Sequence, residues 1–298
     1  MSQRKGEKRK GKGDRRTEGN KSNHSKSSDF RAPQKGKPTK PKGSSPKPKK
    51  GPDPDRLTRR NTVLEALRAN RRRFKVLYMQ ADMQDKLARP IRHAAKEASV
   101  RIEEVDRNRL GNLAGAGDHQ GVVLEVGDYP YCEVFEILEY AKALEERPLI
   151  LIMDLVQGTY NVGTLLRTAE IVGVHGVILQ DRRAPEITPL IVQHSQGAAE
   201  HLRIAQVTNL NKAIDELKAA DVWITGLDFG EDAQKLGSID LDRPLAIVVG
   251  HEGDGIRRLV RDSCDFILEI PQRGNVESLN AAVAGSVALY AAWQARGF

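Results

Sequence analysis

The stretch LAIVVGHEGDGIRRLVRDSCDFILEIPQRGNVESLN, residues 245–280, contains two apolar runs that are typical of buried strands. The first run, residues 245–249, leads into the loop 250–255, and the second, residues 266–270, leads into the loop 271–280. Both loops contain glycine and charged residues. Because glycine has no Cβ, such loops let bare backbone come close to a ligand or to another chain segment.

Strands alternate with helices throughout the second half of the chain, which indicates an α/β domain with a parallel sheet covered on both faces. The predicted strands are 149–153, 176–179, 201–205, 222–227, 245–249 and 266–270, and the predicted helices are 162–172, 187–198, 210–219 and 278–295. A parallel α/β sheet binds its ligand beyond the carboxyl ends of its strands. The candidate binding loops are therefore 154–161, 228–230, 250–255 and 271–280.

The preceding residues 56–128 show the β-α-β order of a small α/β domain. The predicted helices are 62–69, 84–98 and 108–113, and the predicted strands are 74–79, 101–105 and 121–126. Pro90 marks either a break in the second helix or its first turn. The tripeptide His119-Gln120-Gly121 either faces a ligand or forms a polar turn. A helix within 129–147 links this domain to the second one, residues 148–298.

The positive charge of the chain is concentrated at its start. Of the 48 Lys and Arg residues, 18 lie in residues 1–55, together with only 6 of the 40 Asp and Glu residues. A segment so poor in apolar residues is predicted to be disordered, and it either contacts RNA phosphates or only keeps the chain soluble. Arg71-Arg72-Arg73 likewise either hold an RNA backbone or lie on a solvated face.

Several function classes are excluded by the sequence. It contains no apolar run long enough to cross a membrane, and its first residues lack the apolar segment of a secretory signal. Cys132 and Cys264 are far apart and lack metal spacing, so we expect free thiols, a cytoplasmic protein and no metal. The dinucleotide fingerprint, the Walker P-loop and the serine nucleophile elbow are all missing.

Asn161 and Arg167 form a third polar motif within the predicted helix 162–172 and at its start. The Asn161 side chain is placed to cap the exposed amides of that helix. Arg167 lies within an otherwise apolar helix, which indicates a buried arginine that needs a partner. It either pairs with Asp154 or Glu170, or it points at a phosphate or a reacting hydroxyl.

These motifs resemble a known family. The segments NVGTLLRTA (161–169), VGHEGDG (249–255) and IPQRGNVESLNA (270–281) resemble, in order, the three motifs of the SpoU (TrmH) class of SPOUT RNA 2'-O-ribose methyltransferases. The resemblance covers residues 149–298. Residues 56–128 resemble the ribosomal-protein-like RNA-binding domain of the bacterial 23S rRNA guanosine 2'-O-methyltransferases. Arg60 departs from that pattern, since the family usually has glycine before Asn61.

The resemblance implies a fold, a methyl donor and a set of site residues. The fold would be a sheet with a deep trefoil knot, and the donor would be S-adenosylmethionine, with no metal. The residues implied to bind the donor are Gly250, Ile270 and Leu279, with Leu227, Gly230 and Asn275 in addition. The residues implied in catalysis are Arg167, Asn161, Glu252, Ser278 and Asn280.

The reaction implied is transfer of a methyl group to a ribose 2'-hydroxyl. Arg167 would act as base or would position the target phosphate; we prefer the second role because an ordinary arginine stays protonated. Glu252 would act as a base or would fix its loop through backbone amides. The resemblance also implies a homodimer in which Asn161 and Arg167 reach the partner's site, and the apolar C-terminal helix with Trp293 fits either a dimer interface or the core.

We therefore expect a ribose methyltransferase acting on a guanosine of 23S rRNA, free or within an assembling large subunit, in the cytoplasm and away from membranes. Alternatives are a tRNA ribose methyltransferase of the same class, a ribose methyltransferase that confers antibiotic resistance, and a non-catalytic ribosome-assembly factor. The separate first domain disfavours the tRNA enzyme, and the joint presence of the five polar residues disfavours the non-catalytic factor.

Overall fold

The computed structural model describes residues 55–115, 117–276 and 278–297. The predicted disordered tail, residues 1–55, lies outside the described residues except for Asp55, which begins a strand.

The first part of the described chain forms a four-stranded sheet with three helices. The strands are β1 Asp55–Thr58, β2 Phe74–Gln80, β3 Ile102–Val105 and β4 Val122–Val126, and the helices are α1 Arg60–Ala69, α2 Asp85–Glu97 and α3 Arg107–Ala114. The strand order is β1-β4-β2-β3, in which β4 is antiparallel to β1 and β2 while β2 and β3 are parallel. Strand β1 is not predicted from the sequence, because only Leu57 of its four residues is fully buried.

Two local features of this part differ from expectation. Helix α2 continues through Pro90, so the proline neither breaks the helix nor lies in its first turn. Pro90 is exposed while Ala88 and Ile91 are buried. The backbone hydrogen bond that proline cannot donate is therefore missing on the solvent side of the helix. Arg60 is an ordinary first residue of α1, and the positive φ of 72° that favours glycine occurs one residue earlier, at Arg59.

The second part forms a seven-stranded parallel sheet. Its strands are β5 Leu149–Met153, β6 Gly176–Gln180, β7 Ile204–Val207, β8 Trp223–Leu227, β9 Ala233–Lys235, β10 Leu245–Val249 and β11 Phe266–Glu269, in the order β7-β6-β5-β10-β8-β11-β9. Every neighbouring pair is parallel. The α/β class and the parallel sheet are confirmed. Strand β9 was not predicted, because a run of three residues, Ala-Gln-Lys, shows no apolar pattern.

Six helices accompany this sheet: α4 Val134–Ala143, α5 Thr159–Ile171, α6 Pro189–His194, α7 Leu210–Ala219, α8 Arg258–Arg261 and α9 Ala281–Ala295. The predicted helix 187–198 is wrong in extent: α6 ends at His194, and a separate 3-10 turn follows at Ala198–Glu200. The break falls at Gln196 and Gly197, which both have positive φ. The linking helix α4 occupies only part of 129–147, because a capping box at Glu133 starts it.

The helices cover both faces of the parallel sheet. Helices α5 and α9 pack on the face that includes Leu151 and Ile247, while α4 and α7 pack on the face that includes Ile150 and Val248. Each face is completely apolar along the central strands, which is why both β5 and β10 appear in the sequence as unbroken apolar runs.

The junction between the two sheets contains a buried ion pair. The side chains of Arg72 and Glu200 are each 1% exposed, with 3.0 Å between Nη1 and Oε1. Arg72 also donates through Nε and Nη2 to the carbonyl of Gly127, at 3.1 and 2.6 Å. Arg72 is thus neither an RNA contact nor on a solvated face.

Further polar contacts surround that pair. The Tyr129 hydroxyl donates to the carbonyl of Ala199 at 2.6 Å, and the Arg71 guanidinium donates to the carbonyl of Leu202. Glu65 of α1 contacts His201, with 3.0 Å between Oε2 and Nε2. Since these bonds join α1 and the chain around β4 to the 3-10 turn, the two sheets are fixed to each other by polar contacts as well as by the shared apolar core.

Candidate active site

The carboxyl ends of β8, β10 and β11 enclose a cavity of about 440 Å³. Its walls come from the loops that follow these strands and from the start of α9. The residues predicted from the sequence that line it are Leu227, Gly250, Glu252, Ile270, Ser278 and Leu279. Gly230 and Asn275, which were expected at the donor site, lie outside this lining. The two loops of the opening stretch therefore meet at one cavity.

Gly250 is required by the shape of its loop. The backbones of His251 and Gly255 are paired in both directions, at 2.9 and 3.0 Å, which closes the loop 250–255 on itself. A Cβ on Gly250 would overlap the carbonyl group of Gly255 and the amide of Ile256. Because those are backbone atoms, no side chain fits at Gly250 without moving the loop.

Glu252 is the centre of a polar chain at the edge of the cavity. The Asn161 side-chain amide donates to Glu252 Oε1 at 2.6 Å, and the Asn280 amide donates to Asn161 Oδ1 at 3.2 Å. Partial burial acts to raise the pKa of the Glu252 carboxyl, but the hydrogen bonds from Asn161 and from the backbone amides of Glu252 and Gly158 outweigh it and lower that pKa. The group is a carboxylate at neutral pH and a weak proton acceptor.

The capping roles differ from the prediction. Helix α5 begins at Thr159 after Gly158, so Asn161 lies one turn inside the helix and does not cap it. The cap of this type belongs to Asn280, whose Oδ1 accepts from the amides of Ala282 at 3.0 Å and Val283 at 3.3 Å. Asn280 therefore caps α9 through its Oδ1, while its Nδ2 donates to Asn161.

Arg167 is exposed, and the prediction of a buried arginine is wrong. Leu165 and Leu166 face the core, whereas Arg167 shares the outer strip of α5 with Tyr160 and Ile171, which are 70% and 56% exposed. Among the described residues Arg167 has neither a hydrogen bond nor an ion pair. Its guanidinium is free to bind an anion that comes from outside this chain.

Asp154, one of the partners considered for Arg167, is instead held by Arg257. Asp154 is completely buried at the end of β5 and accepts from the Arg257 amide at 2.8 Å and from its Nε at 2.7 Å. The same guanidinium donates to Gln180 Oε1 at 2.8 Å, at the end of β6. This clamp ties the chain after the loop 250–255 to the ends of two strands. It was missed because Arg257 is not part of any of the three motifs.

Asp228 and Phe229 also line the cavity, and neither was singled out from the sequence. The loop 228–230 was predicted, but the choice within it fell on Gly230. Arg261 holds this loop: its guanidinium contacts Asp232 at 2.6 Å and Asp228 at 3.6 Å. A Cβ on Gly230 would meet Asp232 and the Arg261 guanidinium, so this glycine makes room for the ion pair.

Comparison with known proteins agrees with this arrangement. The model of the SpoU rRNA Methylase family matches residues 148–290, and a model described as RNA 2'-O ribose methyltransferase substrate binding matches residues 60–132. A Bacillus subtilis protein named as a TrmH family tRNA/rRNA methyltransferase, YacO, is 36% identical over 242 residues, which are 81% of this chain and 96% of that protein. A similarly named Staphylococcus haemolyticus protein is 37% identical over 237 residues, covering 80% and 94%.

The chain belongs to the SpoU family of RNA methyltransferases.

Solved structures show the same fold at low sequence identity. The SpoU methyltransferase AviRb from Streptomyces viridochromogenes, in complex with the cofactor AdoMet, is 21% identical, has a TM-score of 0.67, and covers 81% of this chain and 90% of its own. An AdoMet-bound rRNA methyltransferase from Sinorhizobium meliloti is also 21% identical with a TM-score of 0.67, covering 80% and 87%. S-adenosylmethionine is the methyl donor of the SpoU family.

The lining of the SpoU-type cavity combines backbone groups with polar and apolar side chains. Within the described ranges, no group of three or more His, Cys, Asp and Glu side chains is positioned to hold a metal ion. The cavity offers backbone amides and carbonyls from glycine-rich loops, the carboxylates of Asp228, Glu252 and Asp254, and apolar contacts from Leu227 and Leu279. None of the helices in these ranges is long and apolar enough to span a bilayer.

Proposed function

We propose that this chain transfers a methyl group from S-adenosylmethionine to the ribose 2'-hydroxyl of a guanosine in 23S rRNA. The observation that carries the proposal is the cavity at the ends of β8, β10 and β11. Gly250 lines this cavity at a position where the neighbouring backbone leaves no space for a side chain. Membership of the SpoU family supplies the reaction class. The match of residues 60–132 to a substrate-binding model supports an RNA substrate held partly by the first sheet.

The cavity fits the donor through its backbone and its apolar lining. Gly250, Ile270 and Leu279 would hold it by main-chain contacts, and Leu227 would contact its apolar part. The Asp228 carboxylate, which lines the cavity, accepts hydrogen bonds and suits ribose hydroxyls. When bound, the donor supplies an already activated methyl group, so the protein needs to align it and to help remove one proton.

The polar residues then divide into two groups. Asn161, Glu252 and Asn280 form the hydrogen-bonded chain described above, and they fix the loop 250–255 against α5 and α9. Ser278, which lines the cavity, carries a hydroxyl that can accept a hydrogen bond from the ribose 2'-hydroxyl. Arg167 binds the phosphate next to the target ribose and thereby positions the 2'-hydroxyl.

We include a homodimer in the proposal. On α9 the side chains of Val283, Val287 and Tyr290 are 39–47% exposed, while the opposite strip of the same helix is buried. This exposed apolar strip lies beside the outer strip of α5, since Thr168 of α5 and Ser286 of α9 are hydrogen-bonded at 2.9 Å. A second copy that covers both strips would carry Arg167 of one subunit towards the cavity of the other.

Subunit mixing tests that arrangement. Arg167→Ala removes the cation but leaves the cavity intact, while Leu279→Trp fills the cavity from an exposed loop position but leaves Arg167. Each variant alone is expected to keep about 1% of the activity or less, and a refolded equal mixture is expected to regain about a quarter of it, because half of the dimers are mixed and each mixed dimer has one working site. A mixture that stays inactive although heterodimers form would show that Arg167 acts within its own subunit.

We propose further that the loops at the ends of β10 and β11 cross in a trefoil knot. The proposal is supported by the close approach of backbone to backbone at Gly250, where a Cβ would meet the backbone of Gly255 and Ile256. Pulling both termini in optical tweezers tests it, because a knotted chain stops short of the full extended length of about 3.3–3.6 Å per residue. Full extension would contradict the knot.

The substrate is tested by incubating the purified protein and labelled S-adenosylmethionine with separate 23S rRNA, 16S rRNA and tRNA pools, followed by mass-spectrometric mapping. We expect label on a guanosine ribose of 23S rRNA, either free or in precursor large subunits from the cytoplasm. The second candidate is tRNA, which the names of the relatives include. Label found only in tRNA would overturn the rRNA assignment, and no label in any pool would overturn methyl transfer to these RNAs.

The basic segment is tested by measuring the affinity of the protein for RNA at several salt concentrations. Residues 1–54 carry the excess of Lys and Arg, so their removal is expected to weaken RNA binding and to reduce the slope of affinity against salt concentration. An unchanged slope would leave the segment with only a solubilising role.

A further inference from the structure

A second cavity, of about 300 Å³, lies on the first sheet and is not part of the methyl-transfer site. It is lined by Arg60, Gln80, Asp82, Met83, Gln84, Leu87, Arg107, Asp118, His119, Gln120 and Gly121. These residues come from the starts of α1, α2 and α3, the end of β2 and the loop before β4. The volume is at the lower end of the range that holds small organic ligands.

The loop 118–121 is held in one conformation. The Asp118 carboxylate accepts from both the backbone amide and the side-chain amide of Gln120, at 3.2 Å each. His119 Nδ1 accepts from the Gly121 amide at 3.0 Å, so in the neutral ring the proton is on Nε2. Gln120 has a φ of 48°, a conformation unusual for a residue with a side chain. The hydrogen bonds of Asp118 and His119 therefore hold Gln120 in a strained backbone conformation.

Two arginines at the cavity lack partners within the described chain. The side chains of Arg60 and Arg107 make neither a hydrogen bond nor an ion pair with any described residue. By contrast, Arg56 and Arg92 of the same part of the chain each contact a glutamate. The two cavity arginines are thus available to donate hydrogen bonds to a ligand.

The other residues that line the cavity are partly apolar and partly charged, which suits a flat ligand with an apolar face and a polar edge. Leu87 is 36% exposed and Met83 is partly buried, and both line the cavity. The lining also contains the carboxylates of Asp82 and Asp118, the second of which lies 3.9 Å from the Arg59 guanidinium. A site for a bare phosphate would carry an excess of positive charge, whereas a nucleobase presents donors and acceptors on one edge and an apolar face.

We infer that this cavity binds one unpaired nucleobase of the RNA substrate, with Met83 and Leu87 against the face of the base and Arg60, Arg107, His119 and the carboxylates along its edge. The inference rests on the proposed function, because that function makes RNA the partner. The cavity would recognise a base that is distant from the methylated ribose, and it would thereby contribute to the selection of the RNA substrate.

Methionine-methyl NMR of the full chain gives a direct test. Only four methionines occur in the sequence, and Met83 lies at this cavity while Met79 is buried in β2 and Met153 ends β5 in the other sheet. Protein labelled at the methionine methyl groups is titrated separately with AMP, GMP, CMP and UMP. We expect one or two of these nucleotides to shift the Met83 signal, while the Met153 signal does not move.

Arg107→Ala is expected to weaken that binding about tenfold, in line with the loss of a good base contact. Arg89→Ala is the matched control, because Arg89 is an exposed arginine of α2 that does not line the cavity. A Met83 signal unmoved by all four nucleotides would overturn the inference. Equal shifts of the Met83 and Met153 signals by all four nucleotides, or equal weakening by both variants, would do the same.

A further arm separates an RNA base from a free nucleotide. A single-stranded RNA hexamer that carries the preferred base is expected to shift Met83 at lower concentration than the monophosphate does. If the monophosphate binds more tightly, the site takes a free nucleotide and the RNA assignment fails. The NMR readout does not require catalysis, so a failure of methyl transfer and a failure of this inference are distinguishable.

Discussion

Two regions of the molecule each present an arginine, and the surroundings of the two arginines are opposite. At the junction between the sheets, Arg72 is buried and has its partners within the chain: Glu200, the Gly127 carbonyl, Asp55 at 3.8 Å and the Tyr129 ring. On the outer strip of α5, Arg167 is exposed and has no hydrogen-bond or ion-pair partner among the described residues. The charge of Arg72 is therefore compensated within the chain, whereas the Arg167 side chain has no hydrogen-bond or ion-pair partner among the described residues.

This difference separates stability from activity. A buried ion pair that loses one member leaves an uncompensated charge, so the junction should respond to mutation by unfolding. An exposed cation without partners contributes little to folding, so its loss should be felt only when substrate is bound.

The largest effect is expected at the junction. Glu200→Ala removes the only buried carboxylate beside Arg72 among the described residues and leaves the half-exposed Asp55 at 3.8 Å. It should lower the free energy of unfolding by about 3 kcal/mol, measured by urea denaturation. Glu65→Ala at the same junction is the control, because Glu65 is partly exposed and its removal should cost about 1 kcal/mol or less. Similar losses in the two variants would contradict the distinction between the buried pair and its surroundings.

Arg167→Ala should give the converse result. We expect kcat to fall about 100-fold, equivalent to about 2.7 kcal/mol of transition-state stabilisation, while the urea midpoint stays the same. Lys212→Ala, which removes an exposed cation from α7, should change neither quantity. Full turnover in a folded Arg167→Ala protein would remove this residue from the mechanism.

Glu252 sharpens the comparison, because it belongs to the site but has partners within the chain. Glu252→Gln places an amide against the Asn161 amide and should lower kcat/KM about tenfold. The pKa of Glu252 is lowered below its ordinary value of 4.5, so its carboxylate contributes to stability above that pH and loses the contribution only as the pH falls further. The ratio of kcat/KM between the unmutated protein and Glu252→Gln should therefore be constant from pH 6 to about 8. A kcat/KM that follows the titration of a carboxyl group in that range would instead identify Glu252 as the base.

The smallest effect is expected at Arg59, at the start of α1. Because Arg59 has a φ of 72°, Arg59→Gly should relieve strain and stabilise the chain by about 1 kcal/mol in urea denaturation. Arg60→Gly, one residue later in regular helix, is the control and should destabilise slightly. Stabilisation in both variants would mean that charge, and not backbone conformation, is responsible.

The fold was largely predictable because its signals are local. Apolar runs such as 149–153 and 245–249 mark the central strands, and the alternation with helices marks the parallel sheet. The short edge strands β1 and β9 could not be predicted, since each carries too few buried residues to produce a pattern. For the same reason, helix α8 was not predicted.

The two arginines could not be placed from the sequence. The neighbours of Arg72 are basic and favour a surface position, yet Glu200 and the Gly127 carbonyl bury it. The neighbours of Arg167 are apolar and favour burial, yet its position on α5 turns it outward.

The three motifs still located the cavity, because the glycine and amide residues of each motif are contiguous in the sequence. Arg257 and Asp228 are fixed by distant partners, and such contacts leave no mark on the local sequence.

The order of the central strands has a consequence for synthesis on the ribosome. Strand β10 lies between β5 and β8, and Leu245 is in register with both Leu149 and Trp223. Until β10 has left the exit tunnel, β5 and β8 each present an unpaired apolar edge, and such edges invite pairing with other chains. The first sheet can form early in translation, whereas the central strands of the second sheet stay open to such pairing until β10 has emerged.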